Sequence, residues 1–500
     1  MAQNVLECLE KSVEQFPDRI AFEDKTDSFT YREVRELSGK TCTAIAGVTD
    51  RICRPVAVYM DKNIKSLVLF LGTVYSGNFY CPLDSKMPRQ RIDSILQVLK
   101  PIMILTDRKH RDAVEEFASN IPVLCWEDIQ NTIVDEALIN RRISQVREQD
   151  PLYVLFTSGS TGVPKGVVVS HRVILNYLEW LDGHFDMDEH TVFGNQAPLY
   201  FDISVHDLYG AIYFGGKMVI IPPSLFGFPV KLIEFMNERR ISTFLWVPSA
   251  MSIVAALKTF REIRPQYLTS VMFAGEVLPR KYLDYWRENL PDILYANLYG
   301  PTETFVCTAY LCSGDEPEGN PMPIGRPIRN VRAYILDEEG KEVSVGETGE
   351  LCLSGSCLAI GYYNNPEKTE ASFIRNPVVT EYPERLYRTG DLVYENEDGE
   401  LIYVSRRDYQ IKHMGYRIEL GEIETAVYSI PEIRDCVCVY DEKRKRIILY
   451  YDGKEMEKAD LKERLSRKVP EYMIPGKYVY MAMLPHNANG KIDRKSLAAD

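Results

Sequence analysis

An apolar segment that breaks abruptly into a loop of small residues places the strongest constraint on this chain. Residues 152–156 form a continuous apolar run of the length of a buried strand. The loop that follows can direct backbone N–H groups and hydroxyls at an anion; it consists of Thr157, Ser158, Gly159, Ser160, Thr161 and Gly162. Lys165 supplies the positive charge that phosphate needs, although Pro164 stands where the Walker pattern has its second glycine. Ser/Thr/Gly loops are also common surface linkers, so the loop alone leaves both interpretations open.

The composition excludes several classes of protein. Five hundred residues exceed what one hydrophobic core usually serves, so at least two domains are expected. The net charge of −13 argues against a nucleic-acid partner, because a phosphate backbone requires a basic surface. Neither a membrane-spanning run nor a signal-peptide core is present, which predicts no membrane association. Eleven cysteines without a CxxC pair fit reduced thiols and a cytoplasmic location.

Strand-like and helix-like segments alternate along most of the chain. Residues 56–60, 244–247 and 271–273 are typical of short buried strands, whereas 63–75 and 89–99 have apolar positions at helical spacing. This alternation predicts an α/β protein with parallel-rich sheets covered by helices. Residues 409–500 combine helices at 421–429 and 458–468 with strands at 435–440 and 446–451, which predicts a second, small α+β domain.

The segment TSGSTGVPKG resembles the phosphate loop of the adenylate-forming enzymes, which include acyl-CoA synthetases, luciferases and the amino-acid adenylation domains of nonribosomal peptide synthetases. Further segments similar to that family follow in order as far as Arg494: FDIS, NLYGPTET, YRTGDL, a stretch at 405–424, and NGKIDR. The resemblance covers nearly the whole chain. It implies a large amino-terminal domain at residues 1–407, a small mobile carboxy-terminal domain at 408–500, and a hinge at Asp408.

The resemblance also implies a site for ATP and Mg²⁺. Tyr299 would lie along the adenine and Asp391 would accept hydrogen bonds from the ribose hydroxyls. Glu303 would hold Mg²⁺, which prefers hard oxygen ligands, and Lys491 would be a mobile catalytic lysine beside Lys165 of the loop. The other expected nucleotide contacts are Gly275, Glu276, Asn297, Gly300, Thr302 and Arg406.

A second set of positions is expected to line an amino-acid pocket. Asp202 of the FDIS segment would pair with the substrate ammonium, although an Asp before an apolar helix can also simply cap it. The offsets from the motifs give the lining as Ile203, His206, Trp246, Met272, Ala274, Leu298, Val306 and Cys307, and Lys491 would bridge the substrate carboxylate and the α-phosphate. No lining side chain is a carboxylate, and Lys491, the one ammonium, belongs to the catalytic set, so a charged substrate side chain would be buried unpaired.

The size of the predicted pocket depends on Trp246. If Trp246, Met272 and Leu298 all line it, the cavity is shallow and favours alanine, glycine, serine or cysteine. The alternative is that Trp246 turns away into the core. Segments such as FAGEVLP and PEYMIP are similar to D-alanine–carrier-protein ligases, but Ala274 stands where those enzymes have Cys, so the handedness of the substrate stays open.

The implied reaction has two half-reactions. An amino-acid carboxylate attacks the α-phosphate of ATP to give aminoacyl-AMP, and the pantetheine thiol of a carrier protein then takes the aminoacyl group. Two alternatives remain at this point: an acyl- or aryl-CoA ligase of the same fold, and a nucleotide-binding protein without catalysis. Because no GGxS carrier site or HHxxxDG condensation motif is present, we expect a free-standing enzyme or a piece of a larger synthetase.

Overall fold

The computed structural model describes residues 2–158, 164–312, 314, 322–407, 410–485, 492 and 494–498. The chain divides into two compact units. The first comprises Met1–Ser85, Lys100–Leu155 and Val167–Arg407; the second comprises Lys86–Leu99, Phe156–Gly166 and Asp408–Asp500. The second unit thus includes two segments from earlier in the chain, and the division at residue 408 into two sequence-continuous domains stays a prediction.

Strands and helices alternate over the first two hundred residues, as expected. The elements are α1 (Val5–Gln15), β1 (Ile20–Glu23), β2 (Ser28–Thr30), α2 (Tyr31–Val48), β3 (Pro55–Met60), α3 (Ile64–Tyr75), β4 (Phe79–Asp84), α4 (Arg89–Leu99), β5 (Met103–Thr106), α5 (Arg111–Phe117), β6 (Val123–Cys125), α6 (Trp126–Ile129), α7 (Glu136–Ile143), β7 (Pro151–Thr157), β8 (Lys165–Ser170) and α8 (His171–Asp182). Polar side chains begin the helices: Thr30 and Glu33 form a capping box at α2, and Asn63 caps α3.

The rest of the first unit continues the alternation and then becomes mostly β. Its elements are β9 (Val192–Asn195), α9 (Ile203–Phe214), β10 (Lys217–Ile220), α10 (Pro229–Arg239), β11 (Thr243–Trp246), α11 (Pro248–Ala256), β12 (Ser270–Ala274), α12 (Arg280–Asn289), β13 (Leu294–Tyr299), β14 (Thr308–Leu311), β15 (Arg326–Pro327), β16 (Val331–Leu336), β17 (Gly349–Gly355), β18 (Gly361–Tyr362), α13 (Pro366–Ser372), β19 (Phe373–Arg375), β20 (Arg385–Glu395) and β21 (Leu401–Arg406).

Three sheets organise these strands. One has the order β15-β14-β13-β12-β11-β9-β10-β1-β2 and is parallel from β13 to β1. Another has the order β18-β8-β7-β4-β3-β5-β6, in which the pairs among β3 to β7 are parallel. The third, built from β16, β17, β19, β20 and β21, is antiparallel. The prediction of an α/β protein with parallel-rich sheets is confirmed.

Alternate residues of the central strands enter two separate apolar clusters. Leu245 of β11 and Met272 of β12 belong to one cluster, which also contains Phe193 and Leu298. Trp246, one residue after Leu245, belongs to the other cluster with Phe244 and Phe273. This is the period of two that a strand imposes on its side chains, and it separates the two faces of the sheet.

The second unit has its own core. Its remaining elements are β22 (Gln410–His413), β23 (Tyr416–Glu419), α14 (Leu420–Tyr428), β24 (Ile433–Asp441), β25 (Arg446–Gly453), α15 (Lys458–Ser466), β26 (Lys477–Tyr480) and α16 (Arg494–Ala498). The strands β24, β25 and β26 form one sheet, whose buried side includes Cys436 and Cys438. Arg91 of α4 forms an ion pair with Glu422 of α14, and both side chains are buried. The elements match the α+β pattern expected for this part of the chain.

Candidate active site

Most of the predicted site residues of the first unit lie at one edge of its large sheet. Asp202 follows β9, Gly275 and Glu276 follow β12, and the segment from Tyr299 follows β13. The strands β9, β11, β12 and β13 are adjacent and parallel, so their carboxyl ends share one edge. Ligands of open α/β sheets bind outside the carboxyl ends of the strands. The fold therefore brings these separate motifs to the edge where a ligand site is expected.

The turn after β13 is tight and buries a carboxylate. Cys307 N donates to Tyr299 O (2.9 Å), and a Cβ added to Gly300 would lie 1.4 Å from Phe305 O, so only glycine fits there. Glu303 is fully buried and its Oε1 accepts a hydrogen bond from the Tyr362 hydroxyl at 2.7 Å. Thr302 lies in the same turn and is partly exposed. The tight turn predicted from the GPTE segment is confirmed.

Tyr299, Asp391 and Arg406 form a buried, hydrogen-bonded set. Asp391 and Arg406 are cross-strand partners in β20 and β21, and Arg406 Nη1 lies 2.7 Å from Asp391 Oδ1. The Tyr299 hydroxyl donates to Asp391 Oδ2 at 2.5 Å, and Arg406 Nη2 donates to Thr389 O at 3.2 Å. Burial, followed by the charge of Asp391, raises the pKa of Tyr299 well above its ordinary value, so this hydroxyl stays a donor.

Three other predicted nucleotide residues have defined conformations or partners. Asn297 Nδ2 donates to Pro323 O at 2.7 Å, which fixes the amide beside the end of β13. Gly275 has a φ of +96°, which a side chain would strain, and it turns the chain after β12. Glu276 Oε2 accepts from Ser249 N at 3.2 Å and thereby joins that turn to the start of α11. These contacts place the residues without testing their predicted roles.

Asp202 stands at the amino terminus of α9. Its Oδ1 accepts a hydrogen bond from Ile203 N at 2.9 Å, so the capping interpretation is correct as far as it goes. A cap uses part of a carboxylate's hydrogen-bonding capacity, which leaves the ammonium role compatible with the cap. Ile203 packs against both apolar clusters.

His206, one turn further along α9, is surrounded by aromatic and polar groups. Its Nδ1 lies 2.8 Å from the Tyr177 hydroxyl, and its ring makes an edge contact with Phe193 at 5.6 Å between centroids. Burial lowers the pKa of His206 to about 3, so the imidazole is neutral. Burial also raises the pKa of the neighbouring Asp207 to about 7, while Asn195 Nδ2 donates to its Oδ2 at 2.8 Å.

The structure contradicts the placement of Trp246 in the pocket. Its indole stacks on Phe244 with centroids 3.8 Å apart, makes an edge contact with Phe226, and donates from Nε1 to Gly194 O at 2.9 Å. It therefore lies on the sheet face opposite Met272, because Met272 pairs in register with Leu245 while Trp246 pairs with Phe273. The alternative, in which Trp246 turns into the core, is correct.

Leu245, and not Trp246, lies on the same sheet face as Met272. It belongs to the same apolar cluster as Met272, Ala274, Leu298, Val306 and Cys307. The period-two alternation of residues 243–246 could have found it, provided the register with β12 were known. The motif offset that gave Trp246 therefore pointed one residue beyond Leu245.

In the second unit, the phosphate-loop segment contacts a hairpin that the sequence did not link to it. Ser158 Oγ donates to Arg417 O at 2.9 Å, and Glu419 N donates to Ser158 Oγ at 3.1 Å. Lys165 Nζ lies 3.6 Å from Glu419 Oε1. The hydroxyl of Thr157 is buried without a hydrogen-bond partner.

Several predicted residues lie outside the described residues: Gly159, Ser160, Thr161 and Gly162 of the loop, Asp408 of the hinge, and Lys491. Within the described ranges, no group of three or more His, Cys, Asp or Glu side chains could hold a metal ion alone. Glu303 nevertheless fits Mg²⁺, because this ion is usually held by one or two carboxylates together with substrate phosphates. Among the helices described, none is long and apolar enough to cross a bilayer.

This geometry defines a two-unit α/β protein in which predicted site residues of the first unit lie at the carboxyl ends of parallel strands. The AMP-binding enzyme family matches residues 9–363, and the AMP-binding enzyme C-terminal domain matches residues 422–491. The chain therefore belongs to the AMP-binding enzyme family.

Individual relatives agree with this assignment. One component of the linear gramicidin synthase of Brevibacillus parabrevis is 35% identical over 99% of this chain, which spans 6% of that protein. The D-alanine–D-alanyl carrier protein ligase of Lacticaseibacillus rhamnosus is 30% identical over 100% of this chain and 99% of its own length. The adenylation domain AlmE of Vibrio cholerae, solved with glycyl-adenosine-5'-phosphate, shares the fold with a TM-score of 0.83 at 21% identity; the match covers 100% of this chain and 98% of AlmE.

Proposed function

We propose that this protein activates an uncharged amino acid as aminoacyl-AMP and then transfers it to the pantetheine thiol of a carrier protein. The observation that carries the proposal is the meeting of two sets at one sheet edge. One set, the nucleotide end, consists of Tyr299, Glu303, Asp391 and Arg406. The other set, the amino-acid end, consists of Asp202 at the start of α9 and an apolar cluster that includes Met272 and Leu298. Relatives that span almost this entire chain include a D-alanine–D-alanyl carrier protein ligase.

The first half-reaction joins two anions, so it needs charge neutralisation and positioning more than proton transfer. An oxygen of the amino-acid carboxylate forms a bond to the α-phosphorus of ATP, and the bond from that phosphorus to the pyrophosphate oxygen breaks. Asp202 orients the ammonium, Asp391 the ribose and Tyr299 the adenine. Lys165 and Lys491 offset the phosphate charge, and Mg²⁺ held at Glu303 would neutralise the remainder.

In the second half-reaction the carrier thiol, after losing its proton to solvent, attacks the acyl carbon of the mixed anhydride. The bond between that carbon and the AMP oxygen breaks, and AMP leaves. Ser158 and Lys165 contact the hairpin β22–β23 in the described structure, so these loop groups have protein partners that a phosphate would have to replace. We infer a rearrangement of residues 408–500 about Asp408 between the two steps.

The amino-acid end favours an uncharged side chain. Its apolar lining is Ile203, Leu245, Met272, Ala274, Leu298, Val306 and Cys307, with His206 held neutral by burial. Replacing Trp246 by Leu245 removes the largest side chain from the predicted lining, so the cavity is larger than the first prediction. A charged substrate side chain would be buried unpaired there, which favours a small, uncharged amino acid. The free thiols suit a reducing compartment such as the cytoplasm.

Pyrophosphate exchange across the twenty amino acids and D-alanine tests the proposal. We expect ATP-dependent exchange with one or a few small amino acids. Exchange with fatty or aryl acids instead would favour the acyl-CoA ligase alternative. ATP binding without exchange for any acid would favour a protein without catalysis.

Lys491 gives a separate prediction for the two steps. Lys491→Ala should slow adenylate formation roughly 10²- to 10³-fold, because it removes one preorganised charge contact in the transition state. Thioester formation from preformed aminoacyl-AMP should change much less. Equal loss in both half-reactions would show that the lysine only supports folding.

A further inference from the structure

Unpaired polar atoms cluster where β9 ends and α9 begins. Among the described residues, Asn195 Oδ1, Gln196 Oε1, His206 Nε2 and Asp207 Oδ1 are each buried and have no hydrogen-bond partner. Buried polar groups in folded proteins are almost always paired, so these unpaired atoms call for an explanation. Three of them are close together, since Asn195 bonds to Asp207 and His206 Nε2 lies 4.0 Å from Asp207 Oδ1.

The tautomer of His206 follows from its one partner. The Tyr177 hydroxyl is buried and its hydrogen bond to Nδ1 is at 2.8 Å. If Tyr177 donates, the proton of the neutral imidazole lies on Nε2, and only that N–H is unpaired. If Nδ1 donated instead, both the Tyr177 O–H and the Nε2 lone pair would be unpaired. The first arrangement leaves fewer groups unsatisfied, so His206 presents an N–H donor towards Asp207.

His206 belongs to the predicted amino-acid end of the site, and the neighbouring Asp207 also interacts with the buried charge of Lys62. Asp202 caps α9 and His206 lies four residues later within the helix, so the two residues share one helical face. The ring of Tyr177 contacts His206 on one side and Phe305, next to Val306, on the other. Phe193, which touches the imidazole, belongs to the same apolar cluster as Leu245 and Met272.

We propose that His206 and Asp207 together bind a side-chain hydroxyl, so that the substrate is a β-hydroxy amino acid of the serine or threonine class. A hydroxyl can accept from His206 Nε2–H and donate to Asp207 Oδ1. His206 Nε2 and Asp207 Oδ1 are 4.0 Å apart. A hydroxyl oxygen about 2.8 Å from both atoms would subtend an angle of about 90° between them. This inference rests on the function proposed above.

The test compares serine with 2-aminobutyrate, which replaces the hydroxyl by a methyl group of similar size, in pyrophosphate exchange with the full chain. Both hands of serine and L-threonine are included. We expect kcat/KM for the best hydroxy acid to exceed that for 2-aminobutyrate by at least roughly 10- to 100-fold, because a site built for a hydroxyl rejects an analogue without it. His206→Phe should bring this ratio close to one. His206→Gln, which retains an N–H donor, should keep part of the preference.

A second variant keeps the test valid if the His206 variants fold poorly. Tyr177→Phe retains the ring and frees the imidazole to change tautomer, so the hydroxyl preference should fall by several-fold. Equal exchange of serine and 2-aminobutyrate by the wild type would overturn the inference and leave water as the partner of these atoms. Absence of exchange with every amino acid would instead overturn the proposed function and the inference with it.

Discussion

The nucleotide end and the amino-acid end of the proposed site differ in how fully their polar groups are paired. At the nucleotide end, both oxygens of Asp391 have partners and Arg406 also bonds to a backbone carbonyl. At the amino-acid end, His206 and Asp207 each keep a buried polar atom without one. A paired set keeps its geometry before a ligand arrives, and can serve any adenylate. An unpaired set is complete only with the right ligand, so we place the selectivity of the protein there.

The largest expected effect tests whether Trp246 belongs to the apolar core or to the lining of the pocket. Trp246→Ala should lower the free energy of unfolding by about 3–5 kcal/mol, because it removes a fully buried aromatic side chain. The order of amino acids in the exchange assay should not change. Denaturant unfolding and the exchange profile measure the two quantities. New activity with leucine or phenylalanine at unchanged stability would show that the indole lines the pocket after all.

The second-largest expected effect comes from removing a charged partner at the nucleotide end. Asp391→Asn should lower the free energy of unfolding by about 3 kcal/mol, since Arg406 is then a buried cation without a counter-ion. It should also raise KM for ATP. Asp18→Asn is the matched control, because Asp18 pairs with Arg32 at an exposed site and should change stability by less than about 1 kcal/mol. Equal effects of the two substitutions would mean that the buried pair has no special role.

Local patterns predicted much of this fold. The helix at 89–99 has the predicted bounds, and Asn63 and Thr30 stand at helix starts as their side chains suggest. These features depend on neighbouring residues only. The family resemblance also implies that Asp202 and Tyr299 serve one site, and both follow parallel strands whose carboxyl ends share one edge.

What the sequence did not reveal depends on pairing between distant segments. The face on which Trp246 lies is set by the register of β11 with β12, and a shift of one residue moves every side chain to the other face. The contact between Ser158 and Glu419 joins residues 261 positions apart, so no local pattern announces it. Whether the buried atoms of His206 and Asp207 are paired depends on every residue around them, and the sequence alone does not give those neighbours.

A smaller effect should change selectivity at the amino-acid end. Leu245→Ala enlarges the pocket on the side that Leu245 shares with Met272. The ratio of kcat/KM for valine or leucine to kcat/KM for the native substrate should therefore rise by roughly 10- to 200-fold. Trp246→Ala is its natural control, as the two residues are adjacent and face opposite ways. If both variants broaden the substrate range alike, the opposite faces of β11 do not account for selectivity.

The smallest expected effect tests how the nucleotide end holds its geometry. Tyr299→Phe keeps the aromatic face and removes the hydroxyl that donates to Asp391 Oδ2, while Arg406 still pairs with Oδ1. We expect a loss of about 1.5 kcal/mol in the free energy of unfolding, as for a hydrogen bond to a charged group. Tyr267→Phe, at a residue that is 39% exposed, should have almost no effect.

The pH dependence of that loss gives a further check. The pKa of Tyr299 is raised in the folded state, so its contribution to stability is fully present below the unfolded pKa of about 10 and is lost only as the pH rises further, through the folded pKa. The difference between wild type and Tyr299→Phe should therefore stay constant from about pH 6 to pH 9. Since Tyr299 and Asp391 act on one bond, the double variant with Asp391→Asn should lose less than the sum of the two single losses. A strictly additive result would mean that the hydroxyl and the carboxylate stabilise the protein independently, and the nucleotide end would then not be a paired set.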